Sequence, residues 1–124
     1  MLRGRFGNST GRPYIEGRLS IPRLRVIGNI SLLLDTGADK SVLMPVDAER
    51  FGIDYRQLLN PIDMHGIGSI RGFVEPAILA FADPGCEIFV YEIDLHIAAP
   101  NPSITKTPSL LGRDILNDWV ITLD

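Results

Sequence analysis

A carboxylate stands at the end of an apolar run in the stretch SLLLDTGADKSVL, residues 31–43. Three leucines precede Asp35, and a second acid, Asp39, follows four residues later. An ionised carboxylate is costly to bury unless it is paired or hydrogen-bonded, so the position of Asp35 is unusual. One explanation is an ordinary turn, which the Asp caps and in which Gly37 relaxes the backbone. The other is a site that uses the acid in catalysis.

Other chemistries fit the same residues less well. The segment GADKS lacks the glycine before Lys40 that a phosphate-binding G-x-x-x-x-G-K-[ST] loop requires. Asp35 and Asp39 would supply only two metal ligands, because the two histidines are far apart in sequence and the single cysteine stands alone. A Ser or Cys nucleophile would need a histidine base, and neither histidine lies in a motif that supports one. The sequence therefore predicts no metal and no cofactor.

Two further segments form a pattern with the acid. Residues 64–73, MHGIGSIRGF, are glycine-rich between strand-like residues, and residues 109–114, SLLGRD, lead from an apolar pair into a short helix. In this order the motifs Leu-Leu-Leu-Asp-Thr-Gly-Ala-Asp and Leu-Leu-Gly-Arg-Asp resemble those of the retropepsin-like aspartic proteases. This is the single-lobe family of retroviruses, retroelements and some bacterial proteins. The resemblance extends over about residues 12–119.

Short strand-like runs separated by turn residues begin at Tyr14, which favours an all-β domain. The clearest run is EIFVYEIDLHI, whose apolar and polar residues alternate with the two-residue period of a half-buried strand. Asp83-Pro84-Gly85-Cys86 predicts a type II turn that joins this run to the preceding strand in a long hairpin. The predicted strands are residues 14–20, 24–27, 30–34, 70–81, 87–97 and 119–123.

Helical signals are brief. Pro45 predicts a turn or two of helix through residues 46–51. In LLGRDILNDW, Leu111, Ile115 and Trp119 recur at four-residue spacing, as on one face of a short helix. Together with the resemblance, these elements imply a single-lobe closed β barrel or sandwich with one short C-terminal helix and a β-hairpin flap.

Length and composition are those of one domain in a reducing compartment. The chain of 124 residues predicts a flexible N-terminal arm over residues 1–12 and one protease-like domain over residues 13–124. Its net charge of −3 argues against a nucleic-acid partner, which would need a basic face. A single cysteine, no secretory leader and no apolar run of about 20 residues predict a cytoplasmic protein with no membrane partner.

The single copy of the acid predicts a dimer. Hydrolysis of a peptide bond by an activated water needs a base for the water and an acid for the substrate. Two adjacent carboxylates that share one proton supply both. Because the chain carries one such acid, the other must come from a second copy, with both Asp35 side chains on the two-fold axis. The implied activity is that of a homodimeric aspartic endopeptidase acting on an extended peptide.

The resemblance implies roles for the residues that follow the acid. In the family, the residue at the position of Thr36 hydrogen-bonds across the dyad to its mate. Gly37 lets the backbone approach the aspartate, and Ala38 leaves room for the substrate backbone. Asp39, also near the substrate, pairs with Arg113 of the same subunit, whose planar charged group suits bidentate contact with a buried carboxylate. The alternative is that both side chains are solvated surface charges.

Gly66, Ile67 and Gly68 resemble the tip of the flap, a hairpin that closes over bound substrate. Glycines there provide hinges and an open backbone for hydrogen bonds to an extended peptide. A plain glycine-rich turn is the alternative for this segment. For the whole chain, the alternative to a protease is a retropepsin-fold module that dimerises or binds peptides with little or no proteolysis. The intact Asp35-Thr36-Gly37 favours the protease.

Overall fold

The computed structural model describes residues 4–6, 12–64, 70–85 and 87–119. The strands in these residues are β1 (Gly4–Phe6), β2 (Pro13–Ile21), β3 (Val26–Leu34), β4 (Val42–Leu43), β5 (Pro61–Met64), β6 (Ile70–Ala82), β7 (Ile88–Ala98) and β8 (Leu110–Leu111). The helices are α1 (Pro45–Arg50) and α2 (Arg113–Leu116), and the 3-10 turns are Pro22–Leu24, Tyr55–Gln57 and Pro102–Ile104.

A closed barrel forms the body of the molecule. Its strands follow one another in the order β2–β3–β8–β4–β7–β6, and β6 returns to β2 through the pairing of Leu19 with Leu79. β1 pairs with β2 and β5 pairs with β6, so both are added to the ring. The predicted all-β closed barrel with a short C-terminal helix is confirmed. None of the helices in the described part of the chain is long and apolar enough to cross a membrane.

The alternating sequence of β7 agrees with its burial. Leu95 and Ile97 point into the core and are 2% and 0% exposed, whereas Glu92 and Asp94 lie on the exposed face. β7 pairs with β6 in one unbroken register, which forms the predicted long hairpin. The predicted type II turn was wrong, because Gly85, its third residue, does not adopt the positive φ that this turn type requires. Cys86, the last residue of the predicted turn, lies outside the described residues. Period and partner strand were therefore both predictable from this segment.

Strand β3 runs without a break, so the prediction of two strands separated at Gly28-Asn29 was wrong. Gly28 lies against the ring of Phe51, where a Cβ would come within 2.7 Å of Cε1. Asn29 accepts a hydrogen bond from Arg18 on β2 at 3.3 Å. The Gly-Asn pair, which often marks a turn, here permits close packing and cross-strand pairing.

The two ends of the chain carry predictions that fall partly outside the described residues. Gly4–Phe6, within the segment predicted as an arm, pairs antiparallel with β2, and the division at residue 12 stays a prediction. Trp119 packs edge-on against Phe81 at a centroid distance of 5.2 Å and donates a hydrogen bond to Tyr91 Oη at 2.6 Å. Residues 120–123 of the predicted last strand lie outside the described residues.

The core has two parts. The larger cluster fills the barrel, and Leu19, Phe81 and Ile115 are among its members. The smaller cluster lies where β3, β4, β8 and the β5–β6 hairpin meet. It consists of Leu33, Val42, Met44, Met64, Ile70, Ala98, Ile104 and Leu110, with Tyr14, Ala38 and Ile62 packed against it. This second cluster supports the turn that carries the acid.

Candidate active site

Asp35 occupies the first position after β3, and its backbone is held on both sides. Its N–H donates to the carbonyl of Leu111 at 3.0 Å, and its own carbonyl accepts from the N–H of Ala38 at 3.1 Å. The side-chain Oδ1 accepts a hydrogen bond from the N–H of Gly37 at 2.9 Å. The neighbouring strand β8 therefore fixes where the residue lies, and the turn fixes how its half-buried carboxylate points.

Gly37 approaches the carboxylate closely. A Cβ at this position would lie 3.2 Å from Asp35 Oδ1, which is tighter than an ordinary van der Waals contact. The absence of a side chain allows the N–H to reach the carboxylate oxygen without displacing it. The neighbouring Thr36 is exposed in the single chain, and Ala38 is half-buried.

The segment after the acid crosses the start of α2 at Gly112. A Cβ on Gly112 would lie 2.5 Å from the carbonyl carbon of Lys40 and 2.9 Å from the oxygen of Ala38. The next residue, Arg113, donates its N–H to that Ala38 oxygen at 2.8 Å. The crossing thus requires a residue without a side chain. The sequence interpretation gave Gly112 no role, although the glycine of the LLGRD motif was the available signal.

Ser41 and Asp114 connect the same two segments next to their crossing at Gly112. The buried Ser41 donates its N–H to Asp114 Oδ2 at 2.9 Å and its hydroxyl to Oδ1 at 2.8 Å. Its Oγ also accepts the N–H of Gly112 at 3.1 Å. Both oxygens of the carboxylate are therefore used, and the loop from Asp35 to β4 is tied to α2. The sequence interpretation quoted Asp114 in a motif but did not find this contact.

A second Ser–Asp pair repeats this arrangement with the two segments in exchanged roles, so that the serine comes from the β8 segment and the aspartate from the segment after β4. Ser109, just before β8, donates its hydroxyl to Asp47 Oδ2 at 2.6 Å and accepts the N–H of Met44 at 2.9 Å. Asp47 lies in the first turn of α1, which follows β4, just as Asp114 lies in the first turn of α2, which follows β8. The two loops at the site are thus held reciprocally by buried serines.

Asp39 and Arg113 are in contact, with Arg113 Nη2 against Asp39 Oδ1. The expectation that the carboxylate is buried was wrong, because 76% of the Asp39 side chain and 49% of the Arg113 side chain are exposed. This contact between the two segments therefore lies at the surface of the single chain. An exposed pair of this kind contributes about 0.2–1 kcal/mol to stability. The buried ties at this crossing are those of Ser41.

His96 lies on β7 beside the Ser41 loop. Its N–H donates to the carbonyl of Ser41 at 3.2 Å. Burial, together with the positive charge of Lys40, lowers the pKa of His96, while the charges of Asp114 and Asp94 act in the opposite direction. The neutral imidazole is therefore favoured next to the site. No group of three or more His, Cys, Asp or Glu side chains with metal-binding geometry occurs within the described ranges.

The β5–β6 hairpin stands at the position predicted for the flap. Its strands pair from Pro61 with Phe73 to Met64 with Ile70. The connection between them contains Gly66, Ile67 and Gly68, all outside the described residues. The structure therefore shows the stem of this hairpin, and the role of its tip stays a prediction.

The fold of this chain is similar to that of solved structures. One is titled EIAV protease complexed with the inhibitor HBY-793, with a TM-score of 0.56 and 24% identity over 96% of this chain and 100% of that one. Another is a retropepsin-like aspartic protease from Rickettsia conorii, with a TM-score of 0.62 and 20% identity over 100% of this chain and 85% of that one. The chain therefore has the retropepsin-like fold. No protein-family model matches it, and no curated protein matches it in sequence.

Proposed function

We propose that this chain is an aspartic endopeptidase that works as a homodimer, with one Asp35 from each subunit. The observation that carries the proposal is the placement of Asp35. An aspartate is fixed at the end of a barrel strand, and its Oδ1 accepts the N–H of Gly37. Of the two solved neighbours reported above, one is named a protease and the other a retropepsin-like aspartic protease. A mere turn would not need the crossed loops that hold this residue from two sides.

The chemistry requires two carboxylates in different protonation states. Two such groups placed close together share one proton, because both cannot ionise comfortably. The ionised Asp35 takes a proton from a water molecule, whose oxygen attacks the scissile carbonyl carbon. The protonated Asp35 of the partner subunit gives its proton to the carbonyl oxygen, and a tetrahedral gem-diol results. Proton transfer to the amide nitrogen then breaks the C–N bond and releases an acid and an amine.

The remaining residues serve binding in this proposal. Ala38 and Asp39 would face the backbone of an extended peptide beside the acid. Gly66, Ile67 and Gly68 would cover the peptide from the hairpin tip and offer backbone groups to it. The exposure of Thr36 in the single chain supports a contact with its mate across the dyad. These roles rest on the resemblance of the motifs.

The test is cleavage of an unbiased peptide mixture between about pH 4 and pH 7, with Asp35→Asn beside the wild type. Asp118→Asn is the matched control, because it removes an exposed carboxylate of the same type. We expect defined cleavage sites with the wild type and the control, and none with Asp35→Asn. Equal cleavage by Asp35→Asn would refute the proposal. So would a dimeric wild type that cuts nothing, and a peptide-binding module would then replace the protease.

A further inference from the structure

Glu75 is buried in the long strand β6. Of the charged side chains in the described part of the chain, it alone is buried, with 2% exposure. It lies opposite Leu95 of β7, in the wall of the barrel. A carboxylate in such a position needs a partner that compensates its lost hydration.

Arg23 supplies that partner and also contacts a third segment. Its Nε lies 3.0 Å from both carboxylate oxygens of Glu75, and its Nη2 contacts Oε1 as well. The same Nη2 donates to the carbonyl of Gln57 at 2.8 Å. One guanidinium therefore connects the turn between β2 and β3, the barrel wall at β6, and the 3-10 turn that leads into β5.

The third contact is important because it is a polar contact just before β5, a strand otherwise held by its pairing with β6 and by the packing of Ile62 and Met64. β5 ends the sheet and pairs only with β6 among the described strands. β6 itself is paired with β7 from Ala82 to Gly72, so its position is set by the barrel. Before β5, the N–H of Val74 donates to the carbonyl of Asn60 at 2.9 Å. The anchoring of the residues just before β5 therefore adds to its pairing with β6 in setting the direction in which β5 leaves the barrel.

We propose that Arg23 is a positioning residue for the β5–β6 hairpin: by holding Gln57 against Glu75, it helps to set the direction in which the stem of the hairpin leaves the barrel. This inference rests on the proposed function, in which that hairpin covers the peptide. Arg23 itself lies in the turn before β3 and takes no part in the chemistry. Its effect is on binding of the peptide rather than on the proton transfers.

The contacts to Glu75 and Gln57 depend on the planar guanidinium group of Arg23. An arginine donates from Nε and Nη2 in fixed directions, so it can bind a carboxylate and a backbone carbonyl together. A lysine at this position keeps the positive charge near Glu75 but has one compact ammonium group, which cannot satisfy both acceptors in the same geometry. Arg23→Lys therefore separates the anchoring of Gln57 from the neutralisation of the buried charge.

The 3-10 turn itself has a second tie. Tyr55 Oη donates to the carbonyl of Ala98 at 3.3 Å, and the Tyr55 ring packs against Phe73 at a centroid distance of 6.4 Å. The turn should therefore stay folded in Arg23→Lys, and the variant then changes the entry of β5 rather than unfolding the segment.

Two measurements test the inference on the full chain. Hydrogen exchange of the backbone amides is followed by mass spectrometry in residues 58–64, with β2 and β3 as internal reference. We expect Arg23→Lys to raise exchange in residues 58–64 about tenfold while the reference changes little. Peptide cleavage should show a rise in KM of similar size with a smaller change in kcat, because uniform binding is lost.

Two further variants make the result decisive. Arg25→Lys, at an exposed residue of the same turn, is the matched control and should leave both measurements unchanged. Glu75→Gln weakens the same contact from the β6 side and should also raise exchange in residues 58–64. Unchanged exchange in Arg23→Lys, or an equal rise throughout the barrel, would overturn the inference. Hydrogen exchange can be measured whether or not the protein is proteolytic. If the chain cleaves no peptide, the proposed function is refuted, and the exchange data alone decide the inference.

Discussion

Ser41 and Asp114 lie 73 residues apart in sequence and share two hydrogen bonds, from the serine N–H and from its hydroxyl. Ser41 is fully buried, and it stands between the turn of Asp35 and strand β4. The pair therefore fixes the far end of the loop that begins with the acid. The Asp47–Ser109 pair holds the other loop in the same way. The position of the Asp35 carboxylate thus depends on the carboxylate of Asp114, which has no part in the proposed chemistry.

Removal of the Asp114 carboxylate should cost stability. In Asp114→Ala the buried N–H and hydroxyl of Ser41 lose their acceptors, and the free energy of unfolding should fall by about 1–3 kcal/mol. Urea denaturation measures the change, with the m-value checked for constancy. Asp118→Ala, at an exposed acid four residues later, should stay within about 0.5 kcal/mol of the wild type. Equal stabilities of the two variants would show that the Ser41 contacts contribute nothing.

Gly112→Ala should disturb the crossing of the two loops. The new methyl group would meet the backbone of Lys40 at 2.5 Å, and backbone cannot move aside as a flexible side chain can. We expect a loss of about 1–3 kcal/mol in the free energy of unfolding, as for other overpacked sites. The matched change is Gly85→Ala in the β6–β7 turn, where the nearest atom is 3.4 Å away and little effect is expected. Thermal unfolding of both proteins decides between these outcomes.

The ion pair of Asp39 and Arg113 should have a small, salt-dependent coupling energy. A double-mutant cycle with Asp39→Ala and Arg113→Ala should give about 0.2–1 kcal/mol, because both side chains are largely exposed in the single chain. The coupling should shrink as salt is raised from about 0.1 M to 1 M. A coupling well above this range would mean that the pair is buried when the protein associates, and the surface assignment would then fail.

His96 should make stability fall as the solution becomes acidic. Its pKa is lowered in the fold by burial and by Lys40, against the opposing charges of Asp114 and Asp94, so the unfolded chain binds the proton more readily. Its contribution is therefore fully present above the unfolded pKa of about 6.5 and is lost as pH falls through the folded pKa. His96→Gln should show a shallower decline of the melting temperature below about pH 6.5. Parallel declines in the two proteins would contradict this assignment.

The sequence predicted those features that depend on local pattern. The apolar run before Asp35 forms the end of β3, and the alternating residues 87–97 form most of β7. The Leu-Leu-Gly-Arg-Asp motif spans β8 and the start of α2. What it did not predict depends on contacts between distant segments. The Arg23–Glu75 pair joins positions 52 residues apart, and neither residue lies in a recognisable motif. Gly28 was read as a strand break because its packing against Phe51 is invisible in local sequence.

Mixtures of wild type with Asp35→Asn should reveal whether the active site is shared between subunits. If each site needs Asp35 from both copies and subunits exchange freely, equal amounts should leave about one quarter of the activity per dimer. A site contained in one chain would leave about one half. Peptide cleavage at fixed total protein measures the fraction after the subunits have equilibrated. Asp118→Asn mixed in the same proportion should leave activity unchanged, and a value of one half with Asp35→Asn would refute the two-subunit site.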